Sequence, residues 1–330
     1  MVRSMKVETP TDSGASLRAL VAEVFGDDDV VLPAHIDALL RLYAPLPDQR
    51  PATCGAYALT YLLPARGFGE LDGDSLNDED FMAHLAADTI EAREVTGSDA
   101  IQARVDRGEL TEAEALAAHR REWYRYPIDS SAEPSEVGTS PDGVARAIAL
   151  ASGGLLATVP IAGRDSSGRV QLDPRRWDTM LDLVASDFAG GEADILFNYE
   201  SDQLLDAHDH AYNAENLRRS DAATLIPLDR WGVGHFVPMA ALWRRPSGER
   251  WLVLLNSFKE RAFAGVELQP AELVRRGVVR EDGRGGGALL VITRRRVEAI
   301  LAAVENAGLT VAMWSNGSRP PADWSWARSR

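Results

Sequence analysis

The 330-residue chain has one cysteine, at position 54, in Gln49-Arg-Pro-Ala-Thr-Cys-Gly-Ala-Tyr-Ala-Leu-Thr-Tyr-Leu-Leu63. Thr53 is an N-cap residue type and Pro51 biases the approach toward extended backbone, so the spacing predicts a helix from Cys54 to a stop at Pro64. A thiol there faces the N–H groups and the positive dipole end of the helix, which favours thiolate, the nucleophilic form. Gly55 and Ala56 are small enough to leave the sulfur approachable, which makes Gly55 a candidate substrate contact. Ala58, Tyr61 and Leu62 extend an apolar stripe behind it. Gln49 supplies an amide donor for an oxyanion beside the Cys54 N–H. The plainer reading of a lone cysteine followed by Gly and Ala is a small buried hydrophobe. Catalysis therefore needs partners elsewhere in the chain.

Gly232-Val-Gly-His235-Phe-Val-Pro-Met239 opens one strand, and Trp251-Leu-Val-Leu-Leu-Asn256-Ser-Phe258 reads as its return. If Arg245-Pro-Ser-Gly248 is a type I turn in which Arg245 pairs with Gly248, position 256 faces 237. His235 and Asn256 then become diagonal neighbours on one face, close enough for the amide oxygen to hold the imidazole in one tautomer. A slip of one residue would put them on opposite faces, and Pro238 inside the strand points to an edge or a bulge. Singly, His235 reads as a core histidine and Asn256 as a strand-end turn residue. Jointly the four meet one chemical requirement: His235 takes a proton from Cys54, Asn256 orients His235, and Gln49 helps hold a developing oxyanion.

In this order and with these motifs the chain resembles the papain-like cysteine peptidase superfamily, and Asn256-Ser-Phe258 is similar to the papain-type Asn-Ser-Trp. Within that superfamily the likeness is to phytochelatin synthases (glutathione gamma-glutamylcysteinyltransferases). It rests on Gln49 followed by Cys54-Gly, on Phe197-Asn-Tyr199, on Gly234-His-Phe-Val-Pro238, on Leu252–Asn256, on Phe258-Lys259 and on Leu268-Gln-Pro-Ala-Glu-Leu273. Asn256 stands where phytochelatin synthases have Asp, the Gln-to-Cys interval is one residue short, the stretch from Cys54 to His235 is longer, and a cysteine-rich metal-sensing tail is lacking. The resemblance implies an α+β, papain-like two-lobed fold, with a helical lobe carrying a central cysteine helix packed on an antiparallel sheet lobe. It also implies an S-acyl enzyme on Cys54, formed from a small peptide-like amide or a carrier-protein-bound acyl thioester and resolved by an amine or water. No cofactor is expected. The alternative is a catalytically silent papain-like scaffold that binds a small ligand or a protein.

Periodicity supplies the elements that would position these residues. A single domain is expected, with an N-terminal helical brace over 1–45, a helical lobe over 46–200, a flap over 201–230 and a sheet lobe over 231–330. Helices are predicted over Ala15–Phe25, Pro33–Tyr43, Asp78–Glu94, Thr111–Tyr124, Pro174–Ala189, Pro270–Arg276 and Arg295–Ala307, with another starting at Ser140-Pro-Asp. Strands are predicted over Leu155–Ile161, Ala193–Tyr199, Gly234–Trp243, Trp251–Phe258, Ala264–Leu268 and Ala288–Thr293. The polar stretch Ser201–Arg230 reads as a flap too polar for core, hinged at the glycines around Val233; Gly234 and the flap's His208 and His210 are candidate substrate contacts. A metal reading of the two histidines is set aside because no further Cys or His stands at ligand spacing. With 50 acidic against 35 basic residues and a formal charge of −15, binding to nucleic acid or an anionic membrane is disfavoured. No apolar run has membrane-spanning length and the N-terminus lacks a signal pattern, so a cytoplasmic protein is expected. Asn316-Gly-Ser matches a glycosylation sequon, and Trp314–Arg330 carries no readable pattern.

Overall fold

A computed structural model describes residues 14–25, 30–207, 212–213, 216–217, 232–245, 247–280 and 284–323. In chain order these form α1 (Gly14–Phe25), β1 (Val30–Val31), α2 (Ile36–Tyr43), α3 (Cys54–Ala65), the small hairpin β2 (Glu70–Leu71) and β3 (Asp74–Ser75), and α4 (Glu79–Ala86). Next come α5 (Ser98–Asp106), α6 (Glu112–His119), α7 (Pro141–Ala151), β4 (Leu156–Ala162), α8 (Pro174–Ala189) and β5 (Ala193–Glu200). The last elements are β6 (Gly234–Arg244), β7 (Arg250–Leu255), β8 (Val266–Pro270), α9 (Ala271–Val279), β9 (Gly287–Thr293) and α10 (Val297–Asn306). The fold class is α+β with an antiparallel sheet.

The chain divides into two compact units, one running to Asp48 and resuming over Val159–Ala312, the other comprising Gln49–Thr158 and the segment from Met313 onward. These boundaries differ from the expected lobes. The N-terminal helices go with the sheet because β1 pairs with β6 and Tyr43 bonds to Asn256, and β5 with α8 goes there because β5 is a central strand.

In the sheet unit the strand order is β4-β9-β5-β6-β7-β8, with β1 added along the far end of β6. Strands β5, β7 and β9 are buried along nearly their whole length, with aliphatic runs in β7 and β9 and aliphatic and aromatic side chains interrupted by Asp194 and Asn198 in β5, the pattern of strands buried on both faces. Trp177 of α8 packs on Phe197 of β5 at 5.3 Å between ring centroids. Asp173 caps α8 by accepting from the Arg176 N–H, and Pro174 follows in the first turn.

The hairpin β6–β7 departs from the expected register at its turn. The expected turn bond is there, the Gly248 N–H donating to the Arg245 carbonyl at 2.8 Å, but the Arg245 N–H donates to the Glu249 carbonyl at 2.8 Å, so the strands pair one residue further on, while Gly248 sits at φ +87, where a side chain would be strained. Toward the other end a bulge between Met239 and Ala241 absorbs the extra residue, so that Met239 stands opposite Leu254 and the expected register is restored. The bulge lies two positions from Pro238, which has no N–H to give the ladder.

In the helical unit α3, α4 and α7 pack on one another, and every residue of α3 from Cys54 to Leu63 is buried. Pro64 lies inside the last turn and the helix closes at Ala65. The helix expected over Asp78–Glu94 ends at Ala86 because Ala87 takes a left-handed conformation (φ 52) and the Asp88 N–H turns back to the Ala83 carbonyl at 2.9 Å. The helix expected to reach Tyr124 ends at His119, and the carbonyls of Arg120 and Trp123 accept instead from the Arg50 guanidinium. Helix α5 has no counterpart in the sequence reading; it buries Ile101 alone, too narrow a stripe to register as periodicity. Among the described residues no helix is long and apolar enough to cross a membrane.

Candidate active site

His235 and Asn256 are brought together in the sheet unit. His235, the second residue of β6, is 2% exposed and its Nε2 lies 3.2 Å from Asn256 Oδ1 and 3.2 Å from Ser257 Oγ. The ring stacks on Phe258 (5.8 Å between centroids, planes 28° apart) and meets the edge of Tyr199. Two bonds decide which way the Asn256 amide points. Its nitrogen donates to Glu267 Oε1 at 2.8 Å, and its oxygen accepts from the Phe258 N–H at 3.0 Å. The oxygen therefore faces the imidazole, and because an amide oxygen only accepts, His235 carries its proton on Nε2 and its lone pair on Nδ1.

The backbone of Asn256 is equally committed: its N–H donates to the Gly265 carbonyl at 2.8 Å and its carbonyl accepts from the Tyr43 hydroxyl at 2.6 Å. Behind Asn256, Glu267 is fully buried; it accepts from Arg261 Nε at 2.8 Å and from Gln269 Nε2 at 3.4 Å. A buried carboxylate held by a buried guanidinium is a rigid support for the amide it receives. Burial pushes the His235 pKa down to about 4, with the Asn256 hydrogen bond opposing and the Arg261 charge adding to the shift. The imidazole is therefore neutral near pH 7, the form that accepts a proton.

Cys54 and Gln49 belong to the helical unit. Cys54 is the first residue of α3 and is 9% exposed. Thr53 precedes it as expected, yet its side chain does not cap the helix: the hydroxyl lies 2.6 Å from Glu79 Oε1 and 3.0 Å from the Arg50 carbonyl. The reason is a clamp on the 49–53 loop. Glu79 Oε1 also accepts from the Arg50 N–H at 2.7 Å while its Oε2 accepts from Arg120 at 2.6 Å. Arg50 itself is 2% exposed, pairs with Asp80 at 2.7 Å and lies over the Tyr124 ring at 4.4 Å. Burial raises the pKa of both Glu79 and Asp80, with the neighbouring arginines opposing. The half-buried Gln49 donates through Nε2 to the Arg50 carbonyl at 3.2 Å.

Gly55 answers a packing demand in addition to leaving the sulfur approachable. A Cβ there would lie 2.5 Å from Thr139 Cγ2 and 2.9 Å from Val144 Cγ2. Thr139 is held by donating to Asp88, a carboxyl that burial keeps well above its usual pKa. The C-terminal segment secures the same region. Asn316 Nδ2 donates to the Thr139 carbonyl at 3.0 Å, Ser318 Oγ to the Val137 carbonyl at 3.1 Å, and Arg319 pairs with Asp129 and Glu136. Asn316 of the sequon is thus a buried structural amide, its oxygen accepting from the Ser318 N–H at 3.1 Å.

Gly234, the first residue of β6, stands opposite Glu200. His208 and His210 lie outside the described residues, as does most of the expected flap. The described part of that stretch is not uniformly polar surface: Leu204, Leu205 and Ala207 are buried, and the Tyr212 hydroxyl donates to the Leu268 carbonyl at 2.8 Å. The sequence reading missed Tyr43, Arg261, Glu267 and the Glu79–Arg50 clamp. Glu267 does leave a trace, as a charge inside the short strand Val-Glu-Leu-Gln-Pro270; the others are ordinary in their local context.

Fold and site define an α+β protein whose sheet unit carries a buried, tautomer-fixed histidine and whose helical unit begins its central helix at the chain's one cysteine. The chain belongs to a family of unknown function, DUF6885, which it matches over residues 33–315. No curated protein matches it.

Proposed function

We propose that the chain is a papain-like, cysteine-dependent acyltransferase or peptidase acting on a small peptide-like amide or thioester donor. The observation that carries this reading is the His235–Asn256 pair: a buried Glu267 turns the amide so that its oxygen fixes the imidazole as the Nε2–H tautomer. In this reading Cys54 Sγ attacks the acyl carbonyl carbon as its proton passes to His235 Nδ1. The carbonyl oxygen becomes an oxyanion, supported by the Cys54 N–H and the Gln49 amide. Collapse breaks the bond to the leaving amine or thiol, which takes the proton back from His235, and an S-acyl enzyme remains. Water or an amine then attacks the thioester, giving up its proton to His235 and returning the thiol. With a pKa of about 4, His235 acts as a neutral base at the moment of attack instead of forming a resting ion pair with the thiolate. The resemblance to phytochelatin synthases, whose acyl-enzyme serves both transfer and hydrolysis, supports this class.

A second reading, a catalytically silent scaffold, draws support from the burial of both Cys54 (9% exposed) and His235 (2%). The deciding experiment is intact mass after incubation with a panel of amide and thioester donors. The proposal expects an acyl adduct on Cys54 that is absent in Cys54→Ala and that forms about 10²-fold more slowly in Gln49→Ala, the usual cost of losing an oxyanion donor. Absence of an adduct with any donor would leave the silent scaffold standing.

A further inference from the structure

The described residues contain a single lysine, Lys259; the whole chain has two, Lys6 and Lys259, against 33 arginines. An arginine keeps its charge at any ordinary pH, whereas a lysine taken out of water gives up a proton and becomes a nucleophilic amine. Lys259 stands beside the His235–Asn256 pair. It follows Phe258, whose ring stacks on His235 and whose N–H donates to the Asn256 amide oxygen.

Tyr43 of α2 builds the surroundings of the amine. Lys259 Nζ donates to the Tyr43 carbonyl at 3.0 Å and stands 2.7 Å from the centroid of the Tyr43 ring, which is itself buried. The lysine stem passes Gly265, at φ +82, where a Cβ would clash with Tyr43 Oη and stand 3.3 Å from Lys259 Cδ. Glycine there lets the tyrosine and the lysine close on each other. Gly265 and Tyr43 also hold the Asn256 backbone, so the amine is packed against the clamp that fixes the candidate site.

Two forces decide whether this position tolerates a charge. Asp48 favours the ammonium, but its bond of 2.6 Å is to the Lys259 backbone N–H, and among the described residues no carboxylate pairs with the amine. A ring face and one carbonyl return less than the hydration an ammonium loses on burial. Burial therefore pulls the Lys259 pKa down to about 6, with Asp48 opposing. The amine is mostly uncharged at pH 7.5, and because the residue is half-buried and not sealed, a small electrophile can reach it.

We propose that Lys259 is an acylation site that reacts directly with small acyl thioesters. The Nζ lone pair attacks the thioester carbonyl carbon and the C–S bond breaks. The departing thiolate takes up the proton the amine releases, leaving an amide on Nζ and a thiol. A weakly basic amine needs a good leaving group, which a thiolate is and an alkoxide or an amine is not. The amide product keeps one N–H to donate to the Tyr43 carbonyl. The inference goes beyond the acyl-transfer reading and does not use Cys54.

The full-length protein is incubated with S-acetyl-N-acetylcysteamine, as wild type and as Cys54→Ala, and acetylation of Lys259 is followed by peptide mass spectrometry. At pH 7.5 Lys259 should acetylate at least tenfold faster in the folded protein than in the same protein unfolded in guanidinium chloride, where its pKa returns to the ordinary lysine value. The folded-state rate should be half-maximal near pH 6 and level off about one pH unit higher, while the rate in the unfolded chain keeps rising into the alkaline range. Equal rates in folded and unfolded protein, or a folded-state rate that follows the unfolded profile, overturns the proposal. Thermal melts confirm that Cys54→Ala is folded. Acetylation of Lys259 in Cys54→Ala at the wild-type rate upholds the direct reaction even where Cys54 takes no acyl group, so the acyl-transfer reading can fail alone. Acetylation that requires Cys54 overturns the direct reaction and makes Lys259 an acceptor from the acyl enzyme.

Discussion

Asn256→Asp is the substitution the resemblance invites, since phytochelatin synthases carry Asp there, and this structure makes it costly. Asn256 Nδ2 donates at 2.8 Å to Glu267, which is fully buried and already paired with Arg261. Replacing the donor with a carboxylate oxygen sets two anions at that distance. Their repulsion at an effective dielectric of about 20 is roughly 6 kcal/mol. Taking up a proton is the cheaper escape: holding an Asp of ordinary pKa ~3.9 neutral at pH 7.5 costs about 5 kcal/mol, at roughly 1.4 kcal/mol per pH unit. The folded-state pKa of the new Asp is therefore raised above its unfolded value, so the penalty is greatest at high pH and shrinks as pH falls. The expected destabilisation is about 4–5 kcal/mol at pH 7.5 and about 2 kcal/mol at pH 5.5. Urea unfolding followed by tryptophan fluorescence, with Trp243 and Trp251 fully buried in the hairpin, reads it directly. Asn256→Ala loses the same hydrogen bonds without the charge and should cost about 1–3 kcal/mol with no comparable pH slope. Adding Glu267→Gln to Asn256→Asp restores a donor and should recover more than half the loss. A single variant within about 1 kcal/mol of wild type at pH 7.5, or one whose cost does not change with pH, refutes the assigned amide orientation and with it the tautomer argument.

Two other outcomes follow from single side chains. The His235 pKa of about 4 lies below the unfolded value of about 6.5, so as pH falls from 6.5 the unfolded state takes up the proton first; stability should drop by about 3 kcal/mol by pH 4 and level off below it. The difference between wild type and His235→Gln isolates this term from the carboxylates that titrate nearby, and identical profiles for the two proteins would exclude it. Gly55→Ala forces a methyl group to within 2.5 Å of Thr139 Cγ2 and should destabilise by about 1–3 kcal/mol, partly relieved by Thr139→Ser, which removes that atom; a Gly55→Ala melting curve superimposed on wild type would show that the close approach is not there.

Local sequence was sufficient where one residue's own preferences decide the outcome. The start of α3 at Cys54 followed from a proline-biased approach and a polar residue before an apolar run, and α8 follows its Asp173-Pro174 cap and first turn. The strands of the sheet unit were legible as β-branched and aliphatic runs because burial on both faces admits little else. Local preference also misled. Thr53 is a good cap by type, but the half-buried Glu79 offers its hydroxyl a carboxylate acceptor at 2.6 Å, a stronger bond than a backbone amide would give. The hairpin register came out right past Met239 only because the longer turn and the bulge at its other end offset each other, and neither is written in the residues of a single strand.

The sequence by itself thus determined which residue types were present to do chemistry, where the cysteine helix begins and that His235 of β6 neighbours Asn256, a residue the structure places directly after β7 instead of within it. Only the tertiary structure decided how they are used. The direction of the Asn256 amide depends on Glu267 of β8, held by Arg261 of the intervening loop, and its backbone carbonyl is fixed by Tyr43 of α2, 213 positions away. The loop before Cys54 is fixed by the first turn of α4, and the wall behind Gly55 by a C-terminal segment with no pattern of its own. The physical reason is the same in each case: a buried polar group must find a partner, and the partner that satisfies it is set by what the packed elements bring within about 3 Å, not by its neighbours along the chain.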